Sequence, residues 1–178
     1  KIIKRTTIRS MDLLLATSQR EYNDLLKHFN FKAAKLVYHG INCPQWDKLT
    51  PLKQRKDIVL TIAFLDSYEV IRKRIMTIIK CAEIINNRSL GLKFYIVGRQ
   101  TDNQQIKEVR KYIKGKDITN VVFTGYISND EKNDLLLSAK YYLQPTLYEG
   151  FGVAIAEAMS YGVPVLTSNV PSVDEVVG

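Results

Sequence analysis

Short apolar runs alternate with helical patterns along most of this chain. DIVLTIAFL (57–65), LKFYIVG (92–98), NVVFTG (120–125), YYLQPTL (141–147) and VPVLTS (163–168) are rich in β-branched and aromatic residues and read as strands. The segments between them repeat every 3.6 residues. EVIRKRIMTIIKCAEIINN (69–87) puts Ile71, Ile75, Ile78, Ile79, Ala82 and Ile85 on one face of a single helix. NQQIKEVRKYI does the same with Ile106, Val109 and Ile113, and further helices are expected from Asn129 to Ala139 and over VAIAEAM, 153–159. Ser128-x-x-Glu131 and Ser172-x-x-Glu175 have capping-box spacing, and Gly162 followed by Pro164 is a helix stop. Strand–helix alternation of this kind predicts an α/β fold: a Rossmann-like parallel sheet with helices on both faces. The strands are apolar throughout, as strands buried on both sides are.

The start of the chain differs. MDLLLATS, a helix capped by Ser18 with Glu21 at its third position, and AKLVYHG make one more strand–helix–strand unit, followed by the polar stretch NCPQWDKLTPLKQRKD. The expected division is therefore residues 1–40 as the end of a preceding domain with its interdomain turn, 41–56 as a linker, and 57–178 as the main domain. The chain begins on Lys1 and stops after SVDEVV, where a helix is starting, so we read it as a fragment of something longer, truncated at its C-terminus.

Charge and cysteine usage narrow the reading only slightly. A net charge of +8 favours anionic partners, and a solvated basic surface explains it equally well. Cys43 and Cys81 lack metal or disulfide spacing, which fits a reducing compartment. No apolar run approaches the ~18 residues of a membrane-spanning helix, and the start carries no secretory signal pattern. The expected location is cytoplasmic, with contact at the periphery of a membrane.

In an open parallel sheet, ligands bind at the carboxyl ends of the strands. Those ends are Asp66-Ser67, Gly98-Arg99, Gly125-Tyr126 and Thr146 to Gly152. Glycines there let a ligand approach the backbone, and any one of them would also suit a tight turn. Gly150-Phe151-Gly152 leads directly into a helix, whose free N–H groups and positive dipole end form an anion site. Glu157 is the one charge in VAIAEAM, and a buried carboxylate needs a partner. A ribose diol would serve; so would a nearby Lys or Arg. Glu149, in the turn, is either merely solvated or stands beside whatever carries the anion. The two glutamates, straddling a glycine turn and a helix start, describe a pocket for a group with phosphate in its middle and hydroxyls at both ends.

PTLYEGFGVAIAEAMSYGVPVL (145–166) is similar to the E-x7-E region of retaining glycosyltransferases of family 4, which have the GT-B fold. HGIN (39–42), FYIVG (94–98) and VVFTGYIS (121–128) agree, and the resemblance covers about residues 12–178. It implies the nucleotide-sugar-binding C-terminal half of a two-domain enzyme that transfers a sugar from a nucleoside diphosphate, with retention, to a glycan, lipid or other acceptor held by the missing N-terminal domain. The donor is a substrate, and neither a cofactor nor a metal is implied. His28 and His39 lie far apart, and His39 reads as part of the interdomain turn. By the resemblance, Glu149 contacts the transferred sugar and Lys73 the leaving diphosphate, as the catalytic pair. Glu157 holds the ribose, and the backbone at Gly150, Phe151, Gly152 and Val153 meets sugar and diphosphate. Gly125, Tyr126 and Ile127 border the base, Gly98 lies on the donor cleft, and Thr146 stands where the family often has serine.

One departure matters. The family's first strand commonly ends in Gly-Arg, where this chain has Ala63-Phe64, and Arg74 occupies the place of the glycine after Lys73. Arg72 or Arg99 would then supply the guanidinium, unless Arg72–Arg74 is only a basic helix surface. The fragment alone is expected to bind donor without turning it over. Two other readings stay open: a non-catalytic nucleotide-sugar-binding module, and a basic nucleic-acid or membrane-surface domain. The latter lacks interleaved stacking aromatics and a recognition motif, so no nucleic-acid partner is expected. A sugar phosphorylase or epimerase of the same fold fits the Glu149/Glu157 spacing less well.

Overall fold

The computed structural model describes residues 11–28 and 33–178; the parts of the first expected segment at 1–10 and 29–32 lie outside them. The described residues form two parallel sheets. A small one pairs β1 (Leu14–Ala16) with β2 (Ala34–Leu36) across helix α1 (Gln19–His28). The main sheet has five strands in the order β5-β4-β3-β6-β7: Val121–Gly125, Lys93–Val97, Lys56–Ile62, Ala139–Gln144 and Val165–Thr167. All its pairings are parallel, and the order reverses between β3 and β6, where an open sheet forms its crevice.

Alternation along β3 builds two cores. Val59 joins Phe94 and Ile96 on one face, covered by α2 (Ser67–Arg72), α3 (Ile75–Asn87) and α4 (Gln104–Gly115) through Val70, Ile75, Ile78, Ile79, Ile106 and Val109. Ile58 and Leu60 join Val97 and Tyr142 on the other, covered by α5 (Asn129–Ser138), α6 (Val153–Ser160) and α7 (Pro171–Val177) through Leu136, Ile155, Ala158 and Val173. The expected parallel sheet with helices on both faces is therefore the fold.

Three local expectations are corrected. The single helix over 69–87 is two, broken at Lys73-Arg74, with Arg74 in the left-handed region at φ 52°. The carbonyl of Arg72, which a continuous helix would use internally, instead accepts from the Leu147 N–H at 2.8 Å. Ile71 consequently leaves the buried face and is 55% exposed, its place taken by Val70. Third, Ser172 does not cap the last helix. Pro171, whose fixed φ suits a first helical position, starts that helix from Val170, and Ser172 is buried inside it. Glu175 then reaches across to α1, accepting from the N–H groups of Gln19 (2.6 Å) and Arg20 (3.1 Å). The Ser128–Glu131 capping box forms as expected, and Ser18 Oγ accepts from Glu21 N–H at 3.1 Å.

Arg55, immediately before β3, carries no signal in the sequence. Its buried guanidinium donates to four main-chain carbonyls: Thr50 (2.9 Å), Leu136 (3.1 Å), Ala139 (3.0 Å) and Tyr161 (2.6 Å). The last three lie at the C-terminal ends of α5 and α6, where carbonyls lack helical partners and a cation is favoured. Burial pulls its pKa down from the usual arginine value.

Candidate functional site

The carboxyl edge of the sheet is shaped by close backbone approaches. Gly98, at φ 146°, follows β4 where a Cβ would lie 1.9 Å from the carbonyl oxygen of Ala63, so only glycine fits beside the end of β3. Its N–H donates to the Gly125 carbonyl at 3.0 Å, tying the turns after β4 and β5 together. Gly125 has φ 73°; Tyr126 beyond it is exposed, while Ile127 packs on the second core.

The break between α2 and α3 aims two cations at the turn after β6. Lys73 Nζ donates to Glu149 Oε1 at 2.7 Å, and Arg72 donates through one terminal nitrogen to Glu149 Oε2 at 2.8 Å. Arg72 also forks onto Glu69 at 2.8 and 2.6 Å, donates to the Tyr148 carbonyl at 2.7 Å, and lies over the Tyr148 ring. Lys73 and Glu149 are almost wholly buried. Burial alone would raise the Glu149 carboxyl, but Lys73 and Arg72 outweigh it and hold it below the usual carboxylate range. For Arg72, burial is likewise outweighed by Glu69 and Glu149, which push it above its ordinary value. Burial dominates at Lys73 and lowers it, with Glu149 offsetting part of the effect. Two cations facing two carboxylates leave the cluster without net charge. Glu149 is thus neither a solvated turn residue nor a free carboxylate, and Arg72 and Lys73 are not a surface patch.

A buried line of polar groups supports this cluster from beneath. Tyr142 O–H donates to Gln144 Oε1 at 2.7 Å, and Gln144 Nε2 donates to Glu149 Oε1 at 2.8 Å. Gln144 is fully buried, and nothing but its polarity at the end of an apolar strand marks it in the sequence. The pairing of Glu69 with Arg72 was legible there, as an i,i+3 helix contact. Thr146 does not open onto the cleft: its buried hydroxyl donates to the Tyr148 carbonyl at 2.9 Å.

Gly152 caps α6 in the left-handed region at φ 97°. The N–H groups of Phe151, Gly152, Val153 and Ala154 find no protein acceptor among the described residues, leaving an open helix start. Phe151 is flanked by the rings of Tyr38 and His39 at 5.8 and 5.5 Å, which seats the segment after β2 against the glycine turn. A cavity of about 330 Å³ lies alongside, walled by Glu149, Gly150, Tyr148 and Ser172 on one side and by Arg20, Asp24 and His28 of α1 on the other. Glu157, one turn into α6, pairs with Lys132 of α5, a partner the sequence reading did not identify. The structure thus gathers Arg72, Lys73, Glu149 and the α6 start in one place. Glu157 lies further along α6, and Gly98, Gly125 and Tyr126 line the neighbouring strand ends. Among the described residues no cluster of metal-ligating side chains occurs, and no helix is long and apolar enough to cross a membrane.

Comparison with known proteins bears on what this edge does. The family model described as glycosyl transferases group 1 matches residues 45–178. O-antigen chain mannosyltransferase B of Escherichia coli is 48% identical over 56 residues, covering 32% of this chain and 15% of that protein. An uncharacterized 41.2 kDa protein in the cps region of Klebsiella pneumoniae is 25% identical over 183 aligned residues, covering 98% of this chain and 48% of that protein. Among solved structures, Alr3699/HepE of Anabaena in complex with UDP and glucose superposes with a TM-score of 0.81 at 18% identity, over 99% of this chain and 50% of that one. WaaG, a glycosyltransferase involved in lipopolysaccharide biosynthesis, gives 0.71 at 18% identity, over 98% and 50%. At such identities the superpositions speak for the fold. The chain spans half or less of the length of each of these relatives.

Proposed function

The chain belongs to the glycosyl transferases group 1 family, and from that premise we propose that it is the donor-binding half of a retaining, family 4 glycosyltransferase that uses a nucleoside-diphosphate sugar. The observation that carries this reading is the convergence of Lys73, Arg72 and Glu149 beside the open start of α6. Relatives named as mannosyltransferases and neighbours solved with UDP support a nucleotide-sugar donor.

In this reading the diphosphate lies at the N-terminus of α6, where free N–H groups and the helix dipole favour an anion. Negative charge grows on the diphosphate as the sugar leaves, and Lys73 with the α6 N–H groups neutralises it. Arg72 supplies the guanidinium missing at Ala63-Phe64. Glu149, already aligned by Gln144, accepts from hydroxyls of the transferred sugar, and Glu157 takes the ribose. The base lies along Gly125, Tyr126 and Ile127, with Gly98 flooring the cleft. Neither metal nor cofactor takes part. The acceptor, a glycan or lipid, is held largely by the remainder of the full-length enzyme, which works in the cytoplasm at the membrane periphery. The chain alone binds donor without transferring it.

Calorimetry with UDP, GDP and ADP tests this. One of them is expected to bind, and Lys73→Met should weaken it by about tenfold or more through loss of a charge-assisted contact. If none binds, or Lys73→Met binds as the parent does, the reading fails.

A further inference from the structure

Lys132 is a charged group at this edge that the donor-site reading leaves unused. Its Nζ meets Glu157 Oε1, with the two side chains 21% and 19% exposed. Glu157 Oε2 accepts from no side chain or backbone group among the described residues. The helix turn that carries the lysine is held in place by its cap. It follows Glu131, whose carboxylate accepts from Ser128 N–H and Oγ, both at 2.8 Å, while Ser128 Oγ accepts from Glu131 N–H at 3.2 Å. That closed capping box fixes the first turn of α5 immediately after Gly125-Tyr126-Ile127. Lys132 therefore connects the base side of the cleft to the carboxylate assigned to the ribose.

We propose that Lys132 is a specificity residue: by pairing with Glu157 in advance, it frees the site from dependence on the donor's 2′-hydroxyl, so that 2′-deoxyribonucleoside diphosphates are accepted alongside ribonucleoside ones. The inference rests on the donor-site reading above. A carboxylate whose only partners are ligand hydroxyls is stranded when one of them is missing. Sites of that design reject the deficient ligand by about 10⁴-fold or more when the polar group is left wholly unpaired. Here the charge stays paired whichever nucleotide arrives. Removing the 2′-hydroxyl then forfeits one exchangeable hydrogen bond, about tenfold in affinity. The open Oε2 remains free for the 3′-hydroxyl that both kinds of nucleotide carry.

The test is a ratio of affinities. Whichever of UDP, GDP or ADP binds is compared with its 2′-deoxy counterpart by calorimetry on the parent chain, Lys132→Leu and Lys132→Arg. The parent should favour the ribonucleotide by no more than about tenfold. Lys132→Leu should widen that preference by a further factor of about ten or more, and Lys132→Arg should keep the parent's ratio. Each ratio is taken on one protein, so an altered folded fraction cancels, and Lys132→Gln makes the same comparison if the leucine variant does not fold. A parent that rejects the deoxynucleotide by more than about a hundredfold overturns the proposal, as does a ratio that Lys132→Leu leaves unchanged. Absence of any nucleotide binding to the parent removes the donor-site reading itself, and the proposal with it.

Discussion

Replacing Glu149 by Gln removes one charge from a buried cluster that is otherwise neutral. Arg72 keeps its fork on Glu69, but Lys73 Nζ has Glu149 as its only side-chain acceptor among the described residues. Breaking a buried pair by removing one partner costs about 3–5 kcal/mol. The amide oxygen of the new side chain still accepts from Lys73, which places the expected loss near the lower end, about 3 kcal/mol. With a urea slope of about 3 kcal/mol per molar for a chain this size, the unfolding midpoint should fall by about 1 M at pH 7. The pH dependence gives a second check. The folded Glu149 carboxyl lies below its unfolded value of about 4.3, so its contribution is fully present above that pH and is lost as pH falls through the lower folded value. The gap between parent and variant should therefore close in acid. A nucleoside diphosphate, which carries no sugar for Glu149 to contact, should bind the variant at least as tightly, because Lys73 no longer has a carboxylate to leave. A midpoint within about 0.3 M of the parent, or a gap that does not narrow as the pH falls below about 4.3, would refute the reasoning.

Two stability predictions concern Arg55 and the left-handed Arg74. Arg55→Met leaves four carbonyls without their donor and should cost about 3–4 kcal/mol in urea unfolding, with Arg55→Lys recovering under half because an ammonium cannot span them. Arg74→Gly relieves a left-handed residue and should raise stability by about 0.5–1 kcal/mol in the same assay, whereas Arg74→Ala should leave it unchanged.

The strands, the two-faced sheet and the glycine turn are legible in the sequence because local period and composition specify them. The break at Lys73-Arg74 is not, since the isoleucine period runs straight through it; the contact that ends α2 comes from Leu147, on another strand's turn. Its trace is Arg74 itself, which by the family resemblance stands in the place of a glycine. Glu157 announces its need for a partner, yet sequence leaves ribose and lysine as alternatives because Lys132 is a separate helix away. Glu149 reads as a turn residue, and its burial is set by cations that only folding brings beside it. Arg55 gives no signal at all, because its partners are carbonyls, which every residue has.

The carboxylate of Glu175 on the first two N–H groups of α1 has a consequence for the order of assembly. The partners are separated by 156 and 155 positions, so the cap on α1 is supplied by a helix far along the chain. Closing so long a loop is entropically unfavourable until the intervening sheet has formed. The contact between α7 and α1 is therefore expected to form late, after the main sheet has folded. Whatever loosens α7 also uncaps α1, and with it the far wall of the cavity that faces Glu149.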